Sequence, residues 1–216
     1  MTPQLAPLQA FHAALQIDRD ELIHDRRRPV SEPDDARIPQ MGYIGPNFRA
    51  GNPLLLAINP GGGGDAYRRT TEDRELLPLI DRARRGRFDP AALAHLFERV
   101  MANMRKWSFW RIVKPTLEAC GAGQDEVSFL NWVPYRTRMD AMPFAADMRA
   151  CRDRILLPLI DSLRPGVIIA LGRKAGGALR RLQDTGIPTF VVPRTRGDSF
   201  VSAEAQAVLA QISNER

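Results

Sequence analysis

Leu54-Leu55-Leu56-Ala57-Ile58-Asn59-Pro60-Gly61-Gly62-Gly63-Gly64-Asp65-Ala66-Tyr67 is the stretch on which the fold turns. Five apolar residues in succession, too few for a buried helix and followed at once by a turn signal, predict a strand covered on both faces of a parallel sheet. Asn59 and Pro60 shape the exit of the chain from that strand, and the glycines that follow let backbone approach a ligand closely. The carboxyl ends of parallel strands line the usual ligand crevice of open α/β sheets, so the first place to look for a site is from Asn59 onward. The glycine run matches neither the nucleotide-triphosphate loop nor the dinucleotide fingerprint, and a flexible surface loop would read the same way.

Three further strands follow. Val127–Leu130 runs into Asn131-Trp132-Val133-Pro134-Tyr135, Val167–Gly172 is the clearest buried run in the chain, and Thr189–Val192 precedes a loop rich in arginine. Helical patterns separate them. Thr71–Arg85 carries Pro78 inside it, so it starts late or is kinked. Asp89-Pro90 supplies an N-cap and a proline at the first helical position, ahead of a stripe of Leu93, Leu96, Phe97, Val100, Met101 and Met104. Trp107–Cys120 ends at Gly121; Phe144–Leu163 is stopped by Pro165-Gly166; Arg173–Thr185 is capped by Gly186; Ser202–Ile212 closes the chain. Leu5–Ile17 is a further helix, Pro29–Pro39 a loop, and Met41–Phe48 an irregular approach to the first strand. Strands alternating with helices of crossover length predict a three-layer α-β-α sandwich around a central four-stranded parallel sheet, one domain spanning residues 1–216 with residues 1–40 flanking it.

Composition is that of an ordinary soluble chain, 44% hydrophobic and 26% charged. The formal net charge is +6 and the pI about 10.0, which suits a polyanionic partner. The cations are arginines save Lys106, Lys114 and Lys174, a bias that codon composition explains as readily as phosphate recognition. The Arg26-Arg27-Arg28 run reads by default as a solvated surface. Cys120 and Cys151 fall on apolar helix faces, and His12, His24 and His95 are scattered, so the sequence offers no metal-ligand spacing and no metal or cofactor is expected. No apolar run approaches the ~18 residues of a membrane span, and a cytoplasmic protein is expected.

Asn59, Asn131 and the Pro193–Ser199 loop all follow predicted parallel strands and so share one edge of the sheet. Here the residues resemble a family. Ile58-Asn59-Pro60-Gly61 after a buried strand is similar to motif 1 of the uracil-DNA glycosylase superfamily, in the Gly-Ile-Asn-Pro-Gly form of its mismatch-specific branch. Phe129-Leu130-Asn131 resembles the strand motif whose asparagine reads the uracil edge. The segment from Leu163 to Ala175, with Arg164-Pro165, a buried strand and Leu171-Gly172, resembles the one preceding that family's last strand. The likeness spans roughly residues 45–192. Two positions depart from it: Ala57 stands where the family has a glycine, and Val192-Pro193-Arg194-Thr195-Arg196-Gly197 stands where most members have His-Pro-Ser or Asn-Pro-Ser.

The resemblance implies a hydrolase that cleaves the N-glycosidic bond of uracil or another deaminated base in DNA, with DNA as its partner, its base extruded from the stack. Asn59 and Pro60 would hold the attacking water, Asn59 by orienting it, since a neutral amide is a poor base. Asn131 would read the base edge, or else cap its own strand end. Gly61 and Gly62 would let the phosphate backbone come close, and Tyr67 or Trp132 would stack on the base, although aromatics at strand ends are more often core. Arg194 and Arg196 would hold phosphates or take the place of the missing histidine; two solvated arginines would look the same. A catalytically altered member of the fold that binds nucleic acid or a nucleobase, and a hydrolase of free nucleosides, are the competing expectations.

Overall fold

In a computed structural model the chain is described over residues 5–24, 37–61, 71–137, 141–179, 182 and 185–215. Gly62, Tyr67 and the Arg26–Arg28 run lie outside the described residues. Five strands form one sheet: β1 Gly42–Ile44, β2 Leu54–Ala57, β3 Ser128–Asn131, β4 Ile168–Leu171 and β5 Thr189–Val192, in the order β1-β3-β2-β4-β5. The continuous apolar run at Leu54 sits at the centre, parallel to β3 on one side and β4 on the other, and all four β2 residues are buried.

The sheet has five strands rather than the expected four, and it is mixed. Met41–Phe48 is not simply an irregular approach, since Gly42–Ile44 pairs antiparallel with β3 in the register Gly42↔Leu130, Tyr43↔Phe129, Ile44↔Ser128. Gly42 makes that pairing possible. Its φ is +120°, and a Cβ there would stand 1.9 Å from the Phe129 carbonyl oxygen, so an L side chain is excluded.

Helices cover both faces. They are α1 Leu5–Gln16, α2 Thr71–Arg85, α3 Pro90–Met104, α4 Trp110–Cys120, α5 Ala145–Cys151, α6 Leu157–Leu163, α7 Arg173–Leu179 and α8 Ala203–Asn214. The register places Tyr43, Phe129, Leu55, Ile169 and Phe190 on one face of the pleat, and that face meets the start of α4 through Phe109, the residue that precedes the helix, whose ring packs edge-on against Phe129. The opposite face carries Leu56, Ala170 and Val191, and α7 packs there with Gly176 against Val191. The architecture is therefore three-layered.

Proline shapes two of these helices differently. Pro78 sits inside α2, which nonetheless begins at Thr71. Pro158 follows a π-turn at Arg152–Leu156 that joins α5 to α6, where the Leu157 N–H donates to the Arg152 carbonyl. Pro158 brings no N–H to the ladder and its ring would crowd the carbonyl four residues back; the wider turn accommodates both.

From β2 the chain moves outward to β3, then returns past β2 to β4 and on to β5. That reversal puts the topological switch point over the end of β2, where open α/β sheets place their ligands. Asn59 leaves the sheet there.

Candidate functional site at the carboxyl edge of the sheet

The chain leaves β2 without parting from its neighbour. The Trp132 N–H donates to the Ala57 carbonyl at 2.8 Å and the Val133 N–H to that of Ile58 at 2.9 Å, so the loop after β3 is laid alongside Asn59. Asn59 is half-buried and Pro60 buried, with Gly61 exposed beyond them. The Asn59 Nδ2 donates to the Thr137 Oγ1 at 3.1 Å and to the Pro60 carbonyl at 3.3 Å, and the Thr137 hydroxyl donates to the Ala141 carbonyl at 2.5 Å.

Asn131 ends β3 on the α4 face of the pleat, in register with Ala57. Its N–H donates to the Met41 carbonyl and its Nδ2 to the Gln40 carbonyl, both at 2.8 Å. The side chain thus ties down the entry to β1, and its oxygen and second amide proton are what it has left for a ligand edge. Gln40 is tied in turn to the loop after β3: its N–H donates to the Pro134 carbonyl at 2.7 Å, and its Oε1 accepts from Arg136 at 3.5 Å. Arg136 grips Asp73 with two bonds of 2.7 and 2.8 Å, and Asp73 is buried in the first turn of α2, where a carboxylate suits the helix dipole.

Gln40, Asp73, Arg136 and Thr137 are the site residues that sequence reasoning missed. Arg136 and Thr137 carried a usable signal, as polar residues shortly past a buried strand. Gln40 and Asp73 carried none, because only the antiparallel β1 brings Gln40 to this edge and only the α2 packing brings Asp73.

Below Thr137 lies a small cleft lined by Arg19, Tyr135, Arg136, Phe144 and Asp147. Its volume of about 20 Å³ holds a water and not a nucleobase. Trp132 is fully buried and donates to the Met148 carbonyl at 2.8 Å, so it is a core residue rather than a stacking platform.

Arg194 stands at the other end of the same edge. Its Nε and a terminal nitrogen donate to the two carboxylate oxygens of Asp198 at 2.7 and 2.5 Å, its guanidinium carbon lies 4.4 Å from the centre of the Phe109 ring, and its aliphatic part packs over Gly172. Asp198 is buried, has a φ of +52°, and gives its backbone carbonyl to Arg111 at 3.4 Å. Phe109 connects the two ends of the edge, touching Arg194 and standing 5.7 Å from Phe129 of β3. Among these residues the structure joins Asn59 to Thr137 and Asn131 to Gln40; Arg194 hydrogen-bonds to neither asparagine. Arg196 is exposed in the same loop, as is Phe200 at 63%.

No protein-family model matches the chain, and a search of curated proteins returns no match.

The remaining chemistry near the site is quiet. Among the described residues no group of three or more His, Cys, Asp or Glu is placed to hold a metal ion. Burial pushes the Cys151 thiol up to about 12, with the Asp147 charge adding to the effect, so this thiol is not a nucleophile near neutral pH. Burial likewise raises the phenol of Tyr135 well above its ordinary range. Among the described residues no helix is long and apolar enough to cross a membrane.

Proposed function

We propose that this chain is a uracil-DNA glycosylase-like hydrolase that cleaves the N-glycosidic bond of uracil or another deaminated base in DNA. The observation that carries the reading is the placement of Asn59 at the switch point, its amide held by Thr137 and Pro60 beside the loop that follows Asn131. In the proposed step the bond from the sugar C1′ to the base nitrogen breaks, and its electron pair leaves with the base. The oxygen of a water held by Asn59 bonds to C1′, and the proton it loses passes through solvent to the departing base. Pro60 contributes by anchoring Asn59 through its carbonyl. Asn131 reads the base edge with the oxygen and amide proton that Gln40 leaves it; an edge that mismatches costs about 1–3 kcal/mol for each buried polar group left unpaired. Arg196, exposed, serves the phosphates, and Phe200 offers a face on which a base can stack.

A second reading, a member of the fold that binds nucleic acid without cleaving it, is favoured by a specific observation. Arg194, the group available to replace the family's histidine, is held by Asp198 in a bidentate pair. Binding and release measured together on uracil-containing oligonucleotides separate the two. Release that depends on Asn59 supports the hydrolase. Binding without release, weakening steeply with salt and persisting in Asn59→Ala, supports the binder.

A further inference from the structure

We infer that Thr137 is a positioning residue for Asn59, committing its amide nitrogen so that only the oxygen is left to accept from a water; this rests on the reading of Asn59 as the group that orients the attacking water. A threonine hydroxyl has one proton, and Thr137 spends it on the Ala141 carbonyl at 2.5 Å, an atom that can only accept. Toward Asn59 the same oxygen can therefore only accept. The atom of Asn59 that lies 3.1 Å away must be the nitrogen, and the Pro60 carbonyl, another pure acceptor, lies 3.3 Å from that same atom. Two acceptors converge on one end of the amide, so the flip is determined by chemistry.

Both protons of the Asn59 Nδ2 are then committed, and its Oδ1 points away from Thr137. Among the described residues no donor reaches that oxygen. Asn59 becomes a group that accepts from a water and has nothing to donate to a base. Thr137 is buried at 7% exposure and is held by its bond to Ala141, so the constraint costs no reorganisation when a ligand arrives. Without the hydroxyl, only the longer 3.3 Å bond to the Pro60 carbonyl holds the amide, and the end-for-end turn that presents N–H, orienting a water's lone pair rather than its proton, becomes far easier.

Thr137→Val keeps the shape and removes the hydroxyl; Thr137→Ser restores it. The first readout needs no activity. In ¹⁵N-labelled protein, the Asn59 side-chain amide pair is assigned by its loss in Asn59→Ala. Its protons should exchange with water at least about tenfold faster in Thr137→Val than in wild type, with the wild-type rate retained in Thr137→Ser. The second readout is single-turnover release from a uracil-containing duplex. Thr137→Val should release at least about tenfold more slowly with DNA affinity unchanged, and Thr137→Ser should stay within about threefold of wild type. An Asn59 amide that exchanges identically in wild type and Thr137→Val overturns the inference, as does a release rate that Thr137→Val leaves intact. If wild type releases nothing, the hydrolase reading fails and the amide exchange still decides whether Thr137 holds Asn59. If Thr137→Val does not fold, Thr137→Ala with added Thr137→Ser rescue carries the same comparison, and failure of serine to rescue either readout also overturns it.

Discussion

Replacing Arg194 by alanine should cost stability that its position in a polar loop would not suggest. Arg194 makes two charge-assisted bonds to Asp198, whose side chain is 4% exposed, and it lies over the Phe109 ring. Truncation leaves the carboxylate of Asp198 buried without its bidentate partner, and breaking a fully buried pair from one side costs about 3–5 kcal/mol. The Arg194 side chain is itself 35% exposed, so water enters the vacated space and rehydrates part of the carboxylate. That discount roughly halves the figure, and the lost cation–π contact returns some of it, leaving about 2 kcal/mol. For a chain of this size each kcal/mol moves the midpoint by about 2–4 °C, so Arg194→Ala should melt roughly 4–8 °C below wild type, followed by circular dichroism. Arg196→Ala, exposed in the same loop, should melt within about 1 °C of wild type. An Arg194→Ala midpoint equal to that of Arg196→Ala would refute the reasoning, and would mean that Arg194 is available for a ligand.

Further outcomes follow from packing and titration. Gly176→Ala should destabilise by about 1–2 kcal/mol despite a helix-propensity gain of about 1 kcal/mol, because its Cβ would sit 2.4 Å from Val191 Cγ1; Gly177→Ala, with nothing within 4 Å, should be neutral or stabilising, and denaturant titration of both separates steric from propensity effects. Cys151 and Tyr135 have folded pKa values raised by burial, so their contributions are intact below the unfolded values, near 9 and 10, and are lost as pH rises. The melting temperature should therefore hold to about pH 9 and fall above it, and the phenolate absorbance of Tyr43 and Tyr135 should emerge only with loss of structure. At pH 8 the native protein should react with at most one equivalent of a thiol reagent and the unfolded protein with two, the difference being Cys151.

The parallel strands were legible in the sequence because each is a continuous apolar run that ends in a turn signal. Leu54–Ala57, Ser128–Asn131, Ile168–Leu171 and Thr189–Val192 lie within a residue or two of where the pattern puts them. β1 was not legible, since three residues flanked by glycine and proline carry no period and pair only because Gly42 admits the Phe129 carbonyl. The same gap hid part of the site: Gln40 reaches Asn131 only through that strand, and Asp73 reaches Arg136 only through the packing of α2. Asn59 and Asn131 were visible as polar residues at strand ends, yet their hydrogen-bond partners were not, being 78 and 91 positions away in the chain. Arg194 shows the converse. Its residue type suggested a free cation, whereas Asp198, four residues on, turns back through a positive φ to hold it.

Single-turnover release of uracil from single-stranded, U:A and U:G oligonucleotides, with wild type beside Asn59→Ala, bears hardest on the proposed activity. Release by wild type, slowed at least about tenfold in an Asn59→Ala variant that still binds DNA, is the result expected of a hydrolase with Asn59 holding its water. No release from any of the three substrates by the folded wild-type protein would contradict it.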